Sequence, residues 1–397
     1  MSYAPQIPVA STPLITYLFT DLYGNRLAEL PLTGVTFSQV LNGAGGFAGT
    51  LNVEDPRVTS LNWVAATDAM KTLVWVVVSE TTIVYGGIVT AATYDSAAQT
   101  VSITGNDFYW YLSRRVQAFD YASVWATSPA GAAQIAHSVA NNALAVAGSV
   151  PIGLPAPAAT PTEYLINFAL PISQRTTIDS IMTQLGSLGY QVGFDFACDV
   201  GFVAGVPTGQ VTISYPRRGR VAGTTGLTVD LGDPAVDFTY VKDGTAQANA
   251  IYEMVSAGGT AGQSAIWDPA ISTDNYPLTE GTASHSAYSP TAASAAVLAA
   301  WAADDLALHA YPTATMTVTV PLTVNPGLGD FIMGDDINTV AVPQSGDDPP
   351  PCPRFPAGLD FYFRIIRNDV TVADDGLSTM VLTLAMPPSS TPQRPPT

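Results

Sequence analysis

Residues 81–107 read Thr-Thr-Ile-Val-Tyr-Gly-Gly-Ile-Val, then a polar run around Asp95, then Val-Ser-Ile-Thr-Gly-Asn-Asp. Residues 361–384 read Phe-Tyr-Phe-Arg-Ile-Ile, then a polar Asp-Asp-Gly turn at 374–376, then Met-Val-Leu-Thr-Leu. Apolar strands on both sides of turn residues are typical of a β-hairpin. The similar size and pattern of the two hairpins predict two related β-barrels in one chain, which is more typical of a scaffold than of an enzyme.

The composition indicates a large protein that works inside an assembly. With 397 residues, we expect two or three domains. Hydrophobic residues make up 47% of the chain and charged residues only 12%, against roughly 25% charged in typical soluble domains. The net charge of -18 comes from 14 basic and 32 acidic residues. We therefore do not expect tight sequence-independent binding to duplex phosphates, because it requires clustered Lys and Arg.

The sequence contains no pattern for a disulfide framework, a secretory signal or a membrane span. Cys198 and Cys352 are too few for a disulfide framework and have no C-x-x-C spacing, so we expect two unpaired thiols. The start of the chain shows no secretory signal. The most apolar helix candidate, Thr291 to Tyr311, contains two aspartates and does not qualify as a membrane span. We expect a protein made in the cytoplasm.

The first β-rich region is predicted to occupy residues 1–116. The run 73–79 is apolar throughout and predicts a strand buried on both faces. Residues 108–115 predict a short helix that leaves the region. The other strands alternate between apolar and polar residues and are predicted at 14–20, 26–30, 35–41, 47–53, 81–89 and 100–104.

The middle region, residues 117–234, predicts an α+β module. Ser128-Pro129 is predicted to open a helix that runs to about Val146. A proline-rich loop covers 150–161, and a second helix follows Thr177 and ends at Gly189. Strands are predicted at 190–198 and 210–215.

Residues 235–386 predict a second β-rich domain with an inserted Ala-rich helix at about 289–311. The tail 387–397 contains five prolines and no core residues, which predicts a disordered or extended segment. Strands are predicted at 238–242, 248–256, 315–322, 331–333, 339–342, 361–366 and 380–385.

No catalytic, cofactor or metal site is predicted. The three histidines, His137, His285 and His309, are isolated from other ligand residues. Ser138 adjoins His137, but no G-x-S-x-G elbow surrounds it. The glycines at 43–46 fit a loose dinucleotide pattern; since a strand follows them rather than a helix, they predict a hairpin turn.

Charged clusters have structural interpretations. The acidic pairs Asp335-Asp336 and Asp347-Asp348 lie among turn residues without calcium-loop spacing, so we expect solvated turns. The densest basic cluster, Arg217, Arg218 and Arg220, is expected to pair with neighbouring carboxylates rather than to bind phosphate. The scattered tryptophans are expected in the core.

Three segments together resemble the tail-tip or baseplate hub (minor tail) proteins of long-tailed actinobacterial bacteriophages. They are a hairpin with a Gly-rich turn at 32–56, the strands of 84–88 and 101–107 with the helix that follows to Arg115, and the helix-strand unit 176–196. The match carries no catalytic signature. It implies a mainly β chain with two small tail-tube-like β-barrel domains and an α+β module.

The resemblance also implies an assembly. Three copies, each with two barrels, would form a pseudo-hexameric ring that joins a six-fold tail tube to a three-fold tip at the virion tail tip and lets DNA pass without specific binding. Implied partners are a distal tail or tail tube protein, the tape measure protein and other minor tail or fibre proteins, without membrane insertion or cofactor. Candidate ring-interface residues are Val35, Phe37, Phe47, Leu51, Val84, Ile88, Phe363 and Ile365.

Two alternatives stay open. A tail-associated cell-wall hydrolase requires two carboxylates roughly 5 to 10 Å apart in a cleft, for which Asp335 and Asp347 are the candidates. A receptor- or glycan-binding appendage requires exposed aromatic side chains, for which Trp125 and Trp267 are the candidates.

Overall fold

A computed structural model describes residues 14–121, 124–127, 130–158, 165–166, 168, 170–188, 192–254, 263–266, 277–284, 295–343, 352–374, 378–389 and 393–396. The strands are β1 (Ile15–Asp21), β2 (Arg26–Glu29), β3 (Leu32–Val40), β4 (Gly46–Asn52), β5 (Thr72–Val78), β6 (Thr82–Asp95), β7 (Thr100–Asp107), β8 (Ala130–Gly131), β9 (Leu165–Ile166), β10 (Asp195–Val203), β11 (Val206–Ser214), β12 (Thr228–Asp230), β13 (Asp237–Asp243), β14 (Ala250–Met254), β15 (Gln263–Ile266), β16 (Glu280–Ser284), β17 (Thr313–Pro321), β18 (Asp336–Ala341), β19 (Leu359–Val372) and β20 (Thr379–Ala385). The helices are α1 (Trp63–Ala66), α2 (Phe108–Leu112), α3 (Val124–Thr127), α4 (Ala132–Leu144), α5 (Ile178–Gly186) and α6 (Ala295–His309), with a 3₁₀ turn at Ile172–Gln174.

Thirteen of the described strands form one sheet that runs through both β-rich regions. Its main path is β13-β17-β20-β19-β3-β4-β7-β6-β5-β1-β2, and β18 and β12 branch from β19. The two regions meet where β3 pairs antiparallel with β19, from Val35 opposite Val372 to Val40 opposite Arg367. The prediction of a mainly β chain with an α+β module is confirmed. The division at 116 and 234 stays a prediction.

The two hairpins that decide the fold lie on either side of the β3–β4 hairpin. β6 pairs with β7, and β19 pairs with β20, as the sequence pattern predicts. The first hairpin is longer than expected, because β6 continues to Asp95 through residues predicted as a turn. Along the sheet, β20 and β19 precede β3, and β7 and β6 follow β4.

β5 separates two hydrophobic cores. Val74, Val76 and Val78 belong to the larger core, which includes side chains from both β-rich regions. Leu73, Trp75 and Val77 point to the opposite face, into a second core built by α2, α4, α5, β10 and β11. All seven residues of β5 are buried, which confirms the predicted two-sided strand.

A small lobe interrupts the hairpin β13–β17. The two strands pair up to Asp243 opposite Thr313, and the chain between them forms the three-stranded sheet β15-β14-β16 and α6. The core of the lobe contains Ala248, Ile251, Leu306 and Ala310. The predicted strand 248–256 therefore belongs to this lobe and pairs with β15 and β16, not with the main sheet.

Several predicted element boundaries were wrong. The segment 331–333 is a turn rather than a strand, because the Asp335 carboxylate accepts the Ile332 amide (3.1 Å) and Gly334 has a φ of +98°. The helix predicted to begin at Ser128-Pro129 begins after Gly131, and those two residues lie outside the described part of the chain. The second helix ends at Gly186, before the predicted Gly189.

The β10–β11 hairpin also differs from the prediction. β10 begins at Asp195 instead of residue 190 and runs to Val203, because a tight turn at Ala204 and Gly205 closes the hairpin. Both turn residues have positive φ, 51° and 80°, as a two-residue type I′ turn requires. An alanine at the first position hides the turn from sequence-based prediction.

Candidate functional site

A network of arginines and aspartates joins the α+β module to the main sheet. Asp195 and Asp199 lie on β10, and Arg364 lies on β19. Arg364 forms an ion pair with Asp195, and Arg218 forms one with Asp199. Arg218 also donates its backbone N–H to Asp195 (2.8 Å). The charges thus hold β10 against β19 and against the segment that follows β11.

The same network continues toward β18. Arg217 pairs with Asp336 (2.6 Å) and also donates to the Gly334 carbonyl (3.0 Å). Arg220 pairs with Asp335. Asp335 is fully buried and Asp336 is 1% exposed, so neither is a solvated turn residue. The prediction for this acidic pair was wrong, whereas the predicted pairing of the arginine cluster with carboxylates is confirmed.

Burial of these charges is tolerated because each carboxylate accepts several hydrogen bonds. Asp336 accepts from Arg217 and from the Ala222 amide (2.8 Å). Asp335 accepts from the Arg220 amide (2.6 Å) and from its guanidinium. The clustering of the arginines in the sequence indicates that they pair with carboxylates. It does not indicate which carboxylates, because the partners of Arg217 and Arg220 lie more than a hundred residues away in the sequence.

A second buried polar cluster surrounds Asp107, at the end of β7. Asp107 caps α2 by accepting the Trp110 amide (3.1 Å), and it also accepts the Gly45 amide (2.6 Å). Burial raises the pKa of Asp107 to about 6, although the Gly45, Trp110 and Cys198 hydrogen bonds oppose this. Burial also raises the pKa of the Cys198 thiol, and Tyr109 donates its amide to the sulfur (3.1 Å).

Close packing at Gly45 explains why the turn between β3 and β4 contains glycine. A Cβ at this position would lie 2.0 Å from the Ser38 carbonyl oxygen, so only glycine fits. The turn joins β3 to β4 and does not open a helix, which confirms the hairpin prediction.

The eight candidate ring-interface residues lie inside the chain. Their exposed fractions range from 0% to 5%, and their side chains pack in the two cores. The strands that carry them, β3, β4, β6 and β19, have partners on both sides. Contacts between subunits would therefore have to involve other side chains.

An open strand edge lies on the outer half of β6. Residues up to Ile88 pair with β5, and the Val89 carbonyl accepts the Met70 amide (2.7 Å). From Ala91 to Asp95, the strand pairs with β7 alone in the described chain, and these residues are exposed on both faces. Three exposed apolar side chains belong to this part of the chain: Val64, Met70 and Tyr94, which are 62%, 42% and 50% exposed. The Tyr94 ring lies 6.2 Å from the ring of Trp63, the neighbour of Val64 in the sequence.

Three further sequence candidates, Trp125, His137 and Ser138, have structural roles in the described chain. Trp125 is buried and stacks on Tyr121 (5.1 Å between ring centroids), so it does not form the exposed patch that the glycan-binding alternative requires. His137 contacts the Leu154 carbonyl (3.2 Å), and the Ser138 hydroxyl donates to the Gln134 carbonyl. Trp267, His285, Asp347 and Asp348 lie outside the described residues.

The described residues form neither a metal-binding cluster nor a membrane-spanning helix. No three His, Cys, Asp or Glu side chains in this part of the chain lie close enough to hold a metal ion. Among the described helices, none combines the length and the apolar character that a membrane crossing requires.

No protein-family model and no curated protein sequence matches the chain. Its fold, however, is that of tail proteins of known structure. The tail protein from Neisseria meningitidis MC58 aligns with a TM-score of 0.58 at 11% identity, over 96% of this chain and 99% of that one. The prophage tail protein gp18 from Listeria monocytogenes EGD-e aligns at 0.56 and 10% identity, over 94% and 95%. The 43 kDa tail protein of prophage MuSo2 from Shewanella oneidensis aligns at 0.56 and 12% identity, over 94% and 98%.

Proposed function

We propose that this chain is a structural protein of a phage tail, and that three copies form the hub of the tail tip or baseplate. The observation that carries the proposal is the fold, which three tail proteins share over 94% or more of this chain. The finer role rests on the arrangement of the two hairpins, one near each end of the chain, on either side of β3–β4 in one sheet. A chain with two such units suits a three-fold protein that covers a six-fold tube.

The proposed contact between subunits requires exposed residues. The edge Ala91–Asp95 presents backbone groups that a neighbouring strand can pair with, and such an edge invites association when it stays open. Exposed apolar side chains at Val64, Met70 and Tyr94 add contact area beside it. We assign the subunit interface to this surface, called here the β6 edge, in place of the buried candidates.

The charge of the chain supports a passage for DNA. A net charge of -18 repels the phosphate backbone, so a lumen lined by this chain lets DNA slide without adhering. A distal tail or tail tube protein above the ring and the tape measure and fibre proteins around it complete the proposed partners. A non-enzymatic role fits the buried, arginine-paired state of Asp335, which leaves it unsuited to hydrolysis.

Native mass spectrometry tests the assembly. The expected species has three times the 41.4 kDa mass of one chain, and cryo-electron microscopy should show a ring with six similar β units around an acidic lumen. A monomer at micromolar concentration, or a ring with a basic lumen, would contradict the proposal. Cell-wall degradation by the purified protein in a zymogram would favour the hydrolase alternative instead.

A further inference from the structure

The end of the chain lies against the body of the protein. Met386 to Ser389 leave β20 half-buried, and Pro395 is buried although it stands two residues from the end. Tyr240 on β13 donates its hydroxyl to the Pro396 carbonyl (2.7 Å). The described tail residues, 386–389 and 393–396, have no regular secondary structure. Pro396 contacts β13 through Tyr240, and Met386 to Ser389 line a cavity beside α6.

Aromatic side chains surround the Tyr240 contact. The rings of Tyr240 and Phe355 meet edge to face with centroids 5.4 Å apart, and Phe238 stacks on Phe355 at 6.3 Å. The Arg354 guanidinium lies 4.7 Å from the centre of the Tyr240 ring. Phe355 is fully buried and supports the half-buried rings of Phe238 and Tyr240 from the core side. Half-buried aromatic rings with a hydroxyl donor aimed at a proline carbonyl have the chemistry by which proline-rich extended segments are recognised.

We propose that this face of β13 and its neighbours Arg354 and Phe355, called here the aromatic site, binds extended proline-rich peptide, and that the chain's own residues Gln393–Pro396 occupy it. Proline-rich segments lose little conformational entropy on binding, so a small site suffices. The covalent link raises the local concentration of the tail and keeps the site filled.

A fluorophore attached to the C-terminus of the full chain tests the docking. The anisotropy should be high for the unmodified protein and lower for Tyr240→Phe, which removes the hydroxyl donor and keeps the ring. Tyr252→Phe is the matched control, because Tyr252 donates to Glu280 (2.9 Å) in the lobe and is remote from the tail in sequence. Equal anisotropy for Tyr240→Phe and the control would overturn the proposal.

A labelled peptide of residues 389–397 tests the ligand class. A chain that ends at Pro388 should bind it saturably, and the full chain should bind at least about tenfold more weakly because its site is filled. Tyr240→Phe in the shortened chain should weaken binding roughly fivefold, which corresponds to one neutral hydrogen bond. Equal binding by the full and shortened chains, or by a peptide with alanine at 395 and 396, would contradict the proposal. The anisotropy of the full chain decides the question if the shortened chain fails to fold.

Discussion

Phe37 of β3 lies opposite Val370 of β19, so two residues more than three hundred positions apart face each other in one ladder. Both side chains are buried, with 3% and 1% exposed, and both belong to the larger core. The Phe37 ring also lies 5.6 Å from the ring of Tyr85 on β6. This pair therefore connects the first β-rich region to the second.

The first prediction concerns this connection. Phe37→Ala should lower the free energy of unfolding by about 3–5 kcal/mol, as deletion of a buried ring in a packed core does. Because the sheet is continuous, amide protection should fall in β19 as well as in β4. Urea unfolding and hydrogen exchange measure the two effects.

A control for Phe37→Ala is Val241→Ala on β13, where the side chain is 48% exposed. That change should cost no more than about 0.5 kcal/mol. Loss of protection confined to the first β-rich region would show that the two regions unfold separately, against the continuity of the ladder.

The second prediction concerns the arginine–aspartate network. Asp195→Asn should destabilise the protein by about 3–5 kcal/mol, because it leaves the charge of Arg364 buried without its partner. The double variant Asp195→Asn with Arg364→Met should be more stable than Asp195→Asn alone, since it removes the uncompensated charge. A double-mutant cycle by urea unfolding gives the coupling, and a coupling near zero would contradict the role assigned to this pair.

The third prediction follows from the pKa of Asp107. Burial raises it from 3.8 to about 6 in the folded chain, so the folded state binds this proton more tightly than the unfolded state. The stability that the proton contributes is complete below pH 3.8 and is lost as pH rises through about 6. The difference in unfolding free energy between the unmodified protein and Asp107→Asn should therefore change by about 2 kcal/mol between pH 4 and 8, in favour of the variant at high pH.

Chemical denaturation at several pH values measures this difference, and the carboxyl carbon resonance of Asp107 reports its titration directly. A difference that stays constant over the whole range would show that Asp107 titrates as an exposed carboxylate does. The sign distinguishes burial from ion pairing, because pairing would lower the pKa and reverse the trend.

The sequence predicts those features that depend on local pattern. Alternation and turn residues locate the hairpins at both ends of the chain, and the unbroken apolar run at 73–79 predicts the strand between the two cores. Long-range pairing leaves no such pattern. Nothing local indicates that β3 lies beside β19, or that Asp335 and Asp336 face arginines more than a hundred residues away.

The burial of the candidate interface residues within the chain could not be predicted for the same reason. An interface role for Val35, Phe37 and Ile88 requires a sheet face that is free in the single chain. The sequence does not reveal that these side chains are covered, Val35 and Phe37 in one core and Ile88 in the other. Conversely, the β6 edge is rich in small and polar residues, which a sequence pattern reads as a turn.

The last prediction tests the β6 edge as the subunit contact. Tyr94→Asp combined with Met70→Asp places two charges beside Ala91–Asp95, next to the carboxylate of Asp95 itself. A buried unpaired charge at an interface costs several kcal/mol, so the proposed trimer should dissociate to monomers at concentrations where the unmodified protein is expected to assemble. Both side chains are exposed in the chain, by 50% and 42%, so the fold should keep its melting temperature within a few degrees.

The control is Val146→Asp, which introduces one charge of the same sign at a position 47% exposed in the turn after α4. It should leave the assembly intact. Analytical ultracentrifugation of the three proteins measures the outcome. A trimer that persists in the double variant would move the interface away from β6, to another open edge such as β13, whereas loss of the trimer in the control would mean that added charge alone disrupts assembly.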